Sequence, residues 1–332
     1  MGKKQQCENT GAEIKWRCRE TLTRTQILDE GSTVGHDLAE IGSFGAESES
    51  KSVMSTTIEQ FTALVAPELQ DEEIDLLKAA LTYARAEYPD LEMENYHRLL
   101  DSLAERALRK SGDRCESLAV LSAVNQVLFE EEGFRGNRDD YYDPRNSYLN
   151  QVLDRRTGIP ITLSLVYMEV AKRVGVPVFG VGMPGHFLLK HYDVDGQQRF
   201  IDAFHGGRLL TTAETQLRMK EVYEGQLPMQ PEFMNTVGKR QILTRMLNNL
   251  RSIYISSRNF KKALRTVDFI VAIHPRSPED IRQRALLRYN EGMLRAAAED
   301  LDEYVRIAPE ASDADEMRQT ALSIRRTIAM MN

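Results

Sequence analysis

The sequence predicts an α+β chain that is mainly α: a helical N-terminal lobe, a small antiparallel sheet around a buried helix, and a C-terminal stack of helical repeats. Three observations lead there. Apolar residues recur at helical spacing through residues 57–132. Three short β-like runs crowd between Val176 and Phe204, separated by Pro184-Gly185 and Asp195-Gly196. In the last part of the chain, Ala263 and Ala297, Val267 and Leu301, and Pro275 and Pro309 are each 34 residues apart.

Composition sets the outer bounds. The chain has 332 residues, 42% hydrophobic and 28% charged, with a net charge of −7. That length suits two compact domains plus additional chain, and that apolar content excludes global disorder. No window approaches the roughly 18 consecutive apolar residues of a membrane span, so no membrane partner is expected. The acidic balance argues against nucleic acid as a partner. Cys7, Cys18 and Cys115 form no CxxC pair. They predict a reducing, cytoplasmic setting without a disulfide framework or structural zinc site. No apolar stretch follows Met1-Gly2-Lys3-Lys4, which predicts no secretory signal, and Gln6 departs from the Ser or Thr of a myristoylation motif.

Residues 1–56 are polar and low in periodicity and read as a disordered tail, with Met54 as an alternative start. The first folded domain is expected at 57–235, a helical lobe (57–136) followed by a core (137–235), and the repeats at 236–332. In the lobe, Ile58, Phe61, Leu64 and Val65 share one helix face. Asp71-Glu72-Glu73 is expected to charge the first turn of a helix carrying Ile74, Leu77, Leu81 and Ala84, which Pro89 ends. Helices are expected at Met93–Lys110 and Cys115–Glu132, with Glu130-Glu131-Glu132 as a solvated helix end. Gly133–Arg145 reads as a loop and 146–156 as a helix. Gly158-Ile159-Pro160 breaks and restarts the chain, since proline is favoured in the first helical turn. Ile161–Val174 is apolar nearly all round and should be a buried, central helix. The β-like runs are Val176–Met183, His186–Tyr192 and Arg199–Phe204, with Asp195-Gly196 as a hairpin signal. Gly206-Gly207 closes the unit, and Leu209–Tyr223 reads as a helix.

The 34-residue period resembles tetratricopeptide repeats. Helix pairs are expected at Gln241–Ser256 with Asn259–Ile273, and at Pro278–Asn290 with Gly292–Ile307, capped by Ala311–Met331. Leu250 and Tyr254 fall on the first repeat's inner face. At the position where such repeats want a small residue, the first has Arg251 and the second Ala285. Ala263 and Ala297 fall where helices approach closely, while Ala298 is expected to turn away.

The chemistry concentrates in residues 146–207. A buried helix with a special start, a His at the head of one strand (His186) and an Asp on the next (Asp202) have the layout of a nucleophile, base and orienter. The stretch resembles the transglutaminase-like superfamily, in which a Gly-x-Cys at a helix start precedes a strand His and a following strand Asp. Ser147-Tyr148-Leu149, Val152-Leu153, Arg156, Gly158-Ile159-Pro160-Ile161, Pro184-Gly185-His186-Phe187-Leu188, Phe200-Ile201-Asp202 and Gly206-Gly207 resemble its bacterial SirB-type branch, which joins such a core to tetratricopeptide repeats. Where that branch usually reads Asp-Pro-Phe-Asn-Gly-Gly, this chain reads Asp202-Ala203-Phe204-His205-Gly206-Gly207. The resemblance places the nucleophile at Pro160, whose ring has no nucleophilic atom. His186 and Asp202 then remain as base and orienter.

Two hydroxyls are alternative nucleophiles. Ser164 lies one turn beyond Pro160, and Thr162 projects sideways. The favoured reading is that both bond backbone carbonyls inside a buried helix. His186, His191, Asp202 and His205 are close enough in sequence to supply imidazole and carboxylate metal ligands, but His186 and His191 have odd spacing on a strand and point to opposite faces; no metal and no cofactor are expected. His97 and His274 read as surface or packing residues, and Asp154-Arg155-Arg156 as an exposed charged helix end. The expected function is a non-catalytic scaffold or regulatory factor that takes a protein or peptide partner in the repeat groove. The alternative is a hydrolase or amidase using Ser164 or Thr162 with His186 and Asp202. The sequence sets no oligomeric state. One geometric condition follows for the site. A two-residue Asp195-Gly196 turn would put His186 and Asp202 on opposite faces, so the pair requires an odd-length loop or a bulge.

Overall fold

The computed structural model describes residues 44–112, 116–222 and 230–331; Cys7, Cys18 and Cys115 lie outside them. The N-terminal lobe comprises α1 (Phe44–Leu64), α2 (Leu76–Arg85), α3 (Met93–Ser111) and α4 (Ser117–Asn125), the last running on through a π-turn at Gln126–Glu131. Residues 44–56, expected in a disordered tail, belong to α1. Thr57 and Phe61 of that helix are buried, because its apolar stripe lies on α2 and on the repeats.

The acidic triplet departs from its expected role. Asp71–Glu73 forms a separate short turn, and Asp75 caps α2 by accepting from the Lys78 amide at 3.0 Å. Asp71 instead accepts from the amides of Lys239 (2.5 Å) and Arg240 (2.9 Å). A carboxylate is favoured there because the first amides of a helix lack intrahelical partners. The expected solvated end at Glu131 and Glu132 is also corrected: Glu131 pairs with Arg106 and Lys110, both at 2.7 Å. Glu132 pairs with Arg106 and, at 3.1 Å, with Arg156. Burial pushes the Glu132 carboxyl up, but these guanidinium groups outweigh it and hold it low.

The core follows as β1 (Arg135–Gly136), α5 (Leu149–Arg155), β2 (Thr157–Gly158), α6 (Pro160–Arg173), β3 (Phe179–Met183), β4 (His186–Tyr192), β5 (Gln198–Asp202), β6 (Arg208–Thr211) and α7 (Thr212–Val222). The strands β3–β6 form one antiparallel meander, and β1 pairs with β2 in parallel. α6 is the central helix, with Ile161, Leu163, Leu165, Val166, Tyr167 and Val170 buried. The sheet has one strand more than expected. Arg208–Thr211 pairs with β5, although Leu209 is expected to begin a helix. The third β-like run stops at Asp202, and Ala203–His205 turns away from the sheet.

The β4–β5 connection meets the geometric condition. Asp193 pairs with Gln197, and the Gly196 amide donates to the Asp193 carbonyl at 2.9 Å. Val194-Asp195-Gly196 is therefore a three-residue loop, with Gly196 supplying the left-handed position (φ 73°) such a loop needs. The resulting register sets Leu189 opposite Ile201, so His186 and Asp202 share a face.

The C-terminal helices are α8 (Lys239–Ser256), α9 (Phe260–Ile273), α10 (Pro278–Asn290), α11 (Leu294–Ile307) and α12 (Ala314–Met331), within a residue or a few of the repeat reading. Ala263, Ala285 and Ala297 are buried. Ala298, expected to turn away, is buried too, which broadens the packed stripe of α11. Arg251 replaces the small residue of the first repeat by reaching across to α10, where it bonds Asp280 at 3.0 Å and Gln283 at 2.7 Å. The inner-face residues Leu250 and Tyr254 are covered by the rest of the chain; the Tyr254 hydroxyl bonds that of Tyr148 at 2.9 Å.

Candidate functional site

The site lies where the sheet meets the start of α6. Pro184-Gly185 forms the β3–β4 turn between the paired residues Met183 and His186, and delivers His186 at the head of β4. Asp202 ends β5, buried to 1% side-chain exposure. His186 Nε2 lies 3.2 Å from Asp202 Oδ2. His205, one short turn further on, brings its Nδ1 to 2.8 Å from the same oxygen, while its amide donates to Oδ1 at 3.2 Å. Arg218 Nη1 adds positive charge 3.3 Å from Oδ2. Burial alone would push the Asp202 carboxyl up; the hydrogen bonds and charges of His186 and His205 outweigh it and hold the group well below the usual carboxylate range. An ionised, desolvated carboxylate with two imidazoles on one oxygen can fix a tautomer, or serve as a ligand set.

The start of α6 is tied to this corner through the paired glycines of β1 and β2. Gly136 pairs with Gly158. The Phe204 ring packs so closely on Gly136 that a Cβ there would lie 2.5 Å from it. The same ring meets His186 edge-on at 6.3 Å between centroids. Pro160 occupies the first turn of α6 and is buried. The Thr162 hydroxyl caps that turn: it donates to the Asn146 carbonyl at 2.8 Å and accepts from the Ile159 amide at 3.1 Å. Ser164 is fully buried, and its Oγ has no hydrogen-bond partner, which corrects the expectation that both hydroxyls bond carbonyls.

The remaining candidates disperse. His191, on the far face of β4, bonds the Pro177 carbonyl at 2.9 Å and Ser117 Oγ at 2.8 Å. His274 bonds Thr244 at 2.7 Å in the repeats. Asp154-Arg155-Arg156 is not a bare charged end: Asp154 accepts from the Tyr96 hydroxyl at 3.0 Å, Arg155 reaches Asp143 at 3.3 Å, and Arg156 pairs with Glu132. Two functional neighbours were missed by sequence reasoning. Arg218 falls in a segment read only as helix. Arg245 of α8 donates to the carbonyls of Met183 and, at 2.7 Å, of His186. No local pattern marks either, since both contacts are distant in sequence.

Comparison with known proteins agrees with this architecture. The sequence profile of the transglutaminase-like superfamily matches residues 94–248, and that of the tetratricopeptide repeat matches residues 250–321. A "UPF0162 protein" of Xylella fastidiosa (strain 9a5c) is 39% identical over 254 residues, covering 75% of this chain and 90% of that protein. A "UPF0162 protein" of Vibrio cholerae serotype O1 is 28% identical over 223 residues, covering 66% of this chain and 82% of the relative. "F-box only protein 21" of Mus musculus is 34% identical over 184 residues, covering 52% of this chain but 28% of that protein. No solved structure matches. With its transglutaminase-like core, its following repeats and a relative this similar over nearly its whole length, the chain belongs to the UPF0162, SirB-type family.

Proposed function

We propose that this protein is a non-catalytic scaffold or regulatory factor, cytoplasmic, whose repeats take a protein or peptide partner. The observation that supports this most directly is the start of α6. The position that the resemblance gives to the nucleophile is Pro160, and the two nearby hydroxyls are buried, that of Thr162 already engaged with backbone. An acyl group must reach its nucleophile, and a hydroxyl needs a base in contact to be activated. Because the core covers Leu250 and Tyr254, the partner surface falls to the second repeat and the cap, where Tyr289, Met293 and Leu322, with Met330 and Met331 at the end of α12, are exposed large apolar side chains. The stretch shared with F-box only protein 21 is a minor part of that longer protein, as suits a module that binds rather than one that acts alone. Among the described residues no helix is long and apolar enough to cross a membrane.

A hydrolase or amidase is the second reading, favoured by one observation: the Ser164 Oγ is a buried hydroxyl without a hydrogen-bond partner. A serine-reactive activity probe separates the two. The scaffold reading expects no labelling, and capture of the same partner by the native chain and by Ser164→Ala. Capture should be lost in a Tyr289→Ser, Leu322→Ser double variant. Labelling that disappears in Ser164→Ala would establish the enzyme instead.

A further inference from the structure

The corner occupied by His186, Asp202 and His205 is built like a metal centre. Its three ligand atoms, His186 Nε2, Asp202 Oδ2 and His205 Nδ1, all lie within 4.8 Å of one another. The two nitrogens stand 3.2 and 2.8 Å from the shared carboxylate oxygen. A tetrahedral ion with bonds of about 2.0–2.2 Å to N and O donors holds those donors roughly 3.4 Å apart, so each imidazole nitrogen would back away from Asp202 Oδ2 by roughly 0.2–0.6 Å to admit one. The frame is also stiff. His186 heads a strand whose turn carbonyls are held by Arg245, and Asp202 and His205 are locked to each other through the His205 amide. Both imidazoles keep a solvent-facing part, with side-chain exposures of 21% and 29%, so an ion has a route in.

We propose that His186, Asp202 and His205 form a binding site for one divalent transition-metal ion of the zinc, cobalt or nickel type, with at least one coordination position left to water. Two imidazoles and one carboxylate suit such ions, whereas magnesium and calcium take all-oxygen sets. Neutral imidazoles bind through the lone pair facing the ion; each ring nitrogen that points at Asp202 gives up its proton to the other ring nitrogen or, from a charged imidazolium, to solvent. The Arg218 guanidinium beside Oδ2 opposes the ion's charge and holds the affinity below that of an all-histidine site. His205 is the residue that makes three donors out of two. It stands where the resemblance leads one to expect Asn.

The test uses the full chain with Cys7, Cys18 and Cys115 replaced by Ser, so that no thiolate competes, after chelator treatment and dialysis. Cobalt(II) is titrated while its visible absorption is followed, and zinc(II) is titrated by calorimetry. The expected result is one ion per chain with micromolar or tighter affinity, undiminished by excess magnesium. His205→Asn and His186→Ala should each weaken it at least 10-fold, in line with about 10–100-fold for supporting groups of metal sites, and His97→Ala should leave it unchanged. A measurement on the unsubstituted histidines avoids reliance on variants that unfold: of the 6 histidines, zinc should shift the imidazole resonances of His186 and His205 and not those of His191 or His274. No saturable binding, or stoichiometric binding that leaves those two imidazoles and the His205→Asn affinity unaltered, would overturn the proposal.

Discussion

Arg245 holds His186 in place from the first repeat helix, 59 residues further along the chain. Its Nη2 donates to the His186 carbonyl at 2.7 Å and to the Met183 carbonyl, gripping both ends of the Pro184-Gly185 turn, while its guanidinium lies 5.6 Å over the Phe187 ring. The side chain that steadies the site's hairpin therefore comes from the first repeat helix, and one guanidinium nitrogen with two N–H donors serves both carbonyls.

Replacing Arg245 by Ala should consequently loosen the hairpin as well as lower stability. Hydrogen bonds from a charged donor are each worth about 1.5–3 kcal/mol, so losing the two should cost about 3 kcal/mol or more in urea unfolding. Amide exchange at Gly185–Leu188 should accelerate more than exchange in α10 or α11. Arg245→Lys, with one compact ammonium, should recover part of the loss. Equal exchange in the Ala variant and the parent would show that the turn holds itself.

The helix stack is tested by size. Ala263→Leu and Ala297→Leu each insert methylenes into a packed contact, at an expected cost of about 1–3 kcal/mol and a lower melting temperature. Ala298 is buried as well, so Ala298→Leu belongs with them. Glu299→Leu, at an exposed position on the same helix, is the mild control. A Glu299 variant as damaging as Ala297→Leu would reject the close-packed stripe.

His274 gives the repeats a pH dependence of known sign. Burial, aided by Arg240, pushes its pKa below 6.5 against the pull of Asp280. The folded value lies below the unfolded one, so the unfolded chain takes up the proton first as pH falls. The contribution of His274 is complete above about pH 6.5 and is lost on acidification below it. The urea midpoint should fall between about pH 7.5 and about pH 5.5 more steeply in the parent than in His274→Gln. Parallel pH profiles would assign that dependence to other groups.

Pro160→Cys probes how close the start of α6 comes to its imidazole. A thiol in the first helical turn and beside a His should ionise below the roughly 8.5 of a free cysteine. Alkylation rate against pH, in a chain lacking the three native cysteines, gives the value. An ordinary thiol pKa would mean that His186 does not serve that position.

What could be read in the sequence follows the range of the forces involved. The repeat helices were legible because their pattern of small and apolar residues recurs locally every 34 positions. The pairing of His186 with Asp202 was legible only as a condition on the loop, and Gly196 meets it by adopting φ 73°. The strand Arg208–Thr211 was not legible: it is an edge strand with Leu210 as its one buried residue, so no alternation marks it. Asp71 read as a cap for its own helix, because the amides it serves stand 168 and 169 residues away. Arg218 and Arg245 were invisible for the same reason, since a charged residue on a helix face reads as solvated until its distant partner is known.

Helix α8 takes its cap from Asp71 of the first lobe, gives the His186 turn its clamp through Arg245, and opens the repeat stack with Arg251. The two matched family profiles meet between residues 248 and 250, inside this helix. A gene fusion or exchange made at that seam would cut α8 in two, leaving the capped turn and the Arg245 clamp on a truncated helix and giving the repeats a first helix without its N-terminal half. Core and repeats thus share one structural unit at α8, and separating them there should cost both halves their footing.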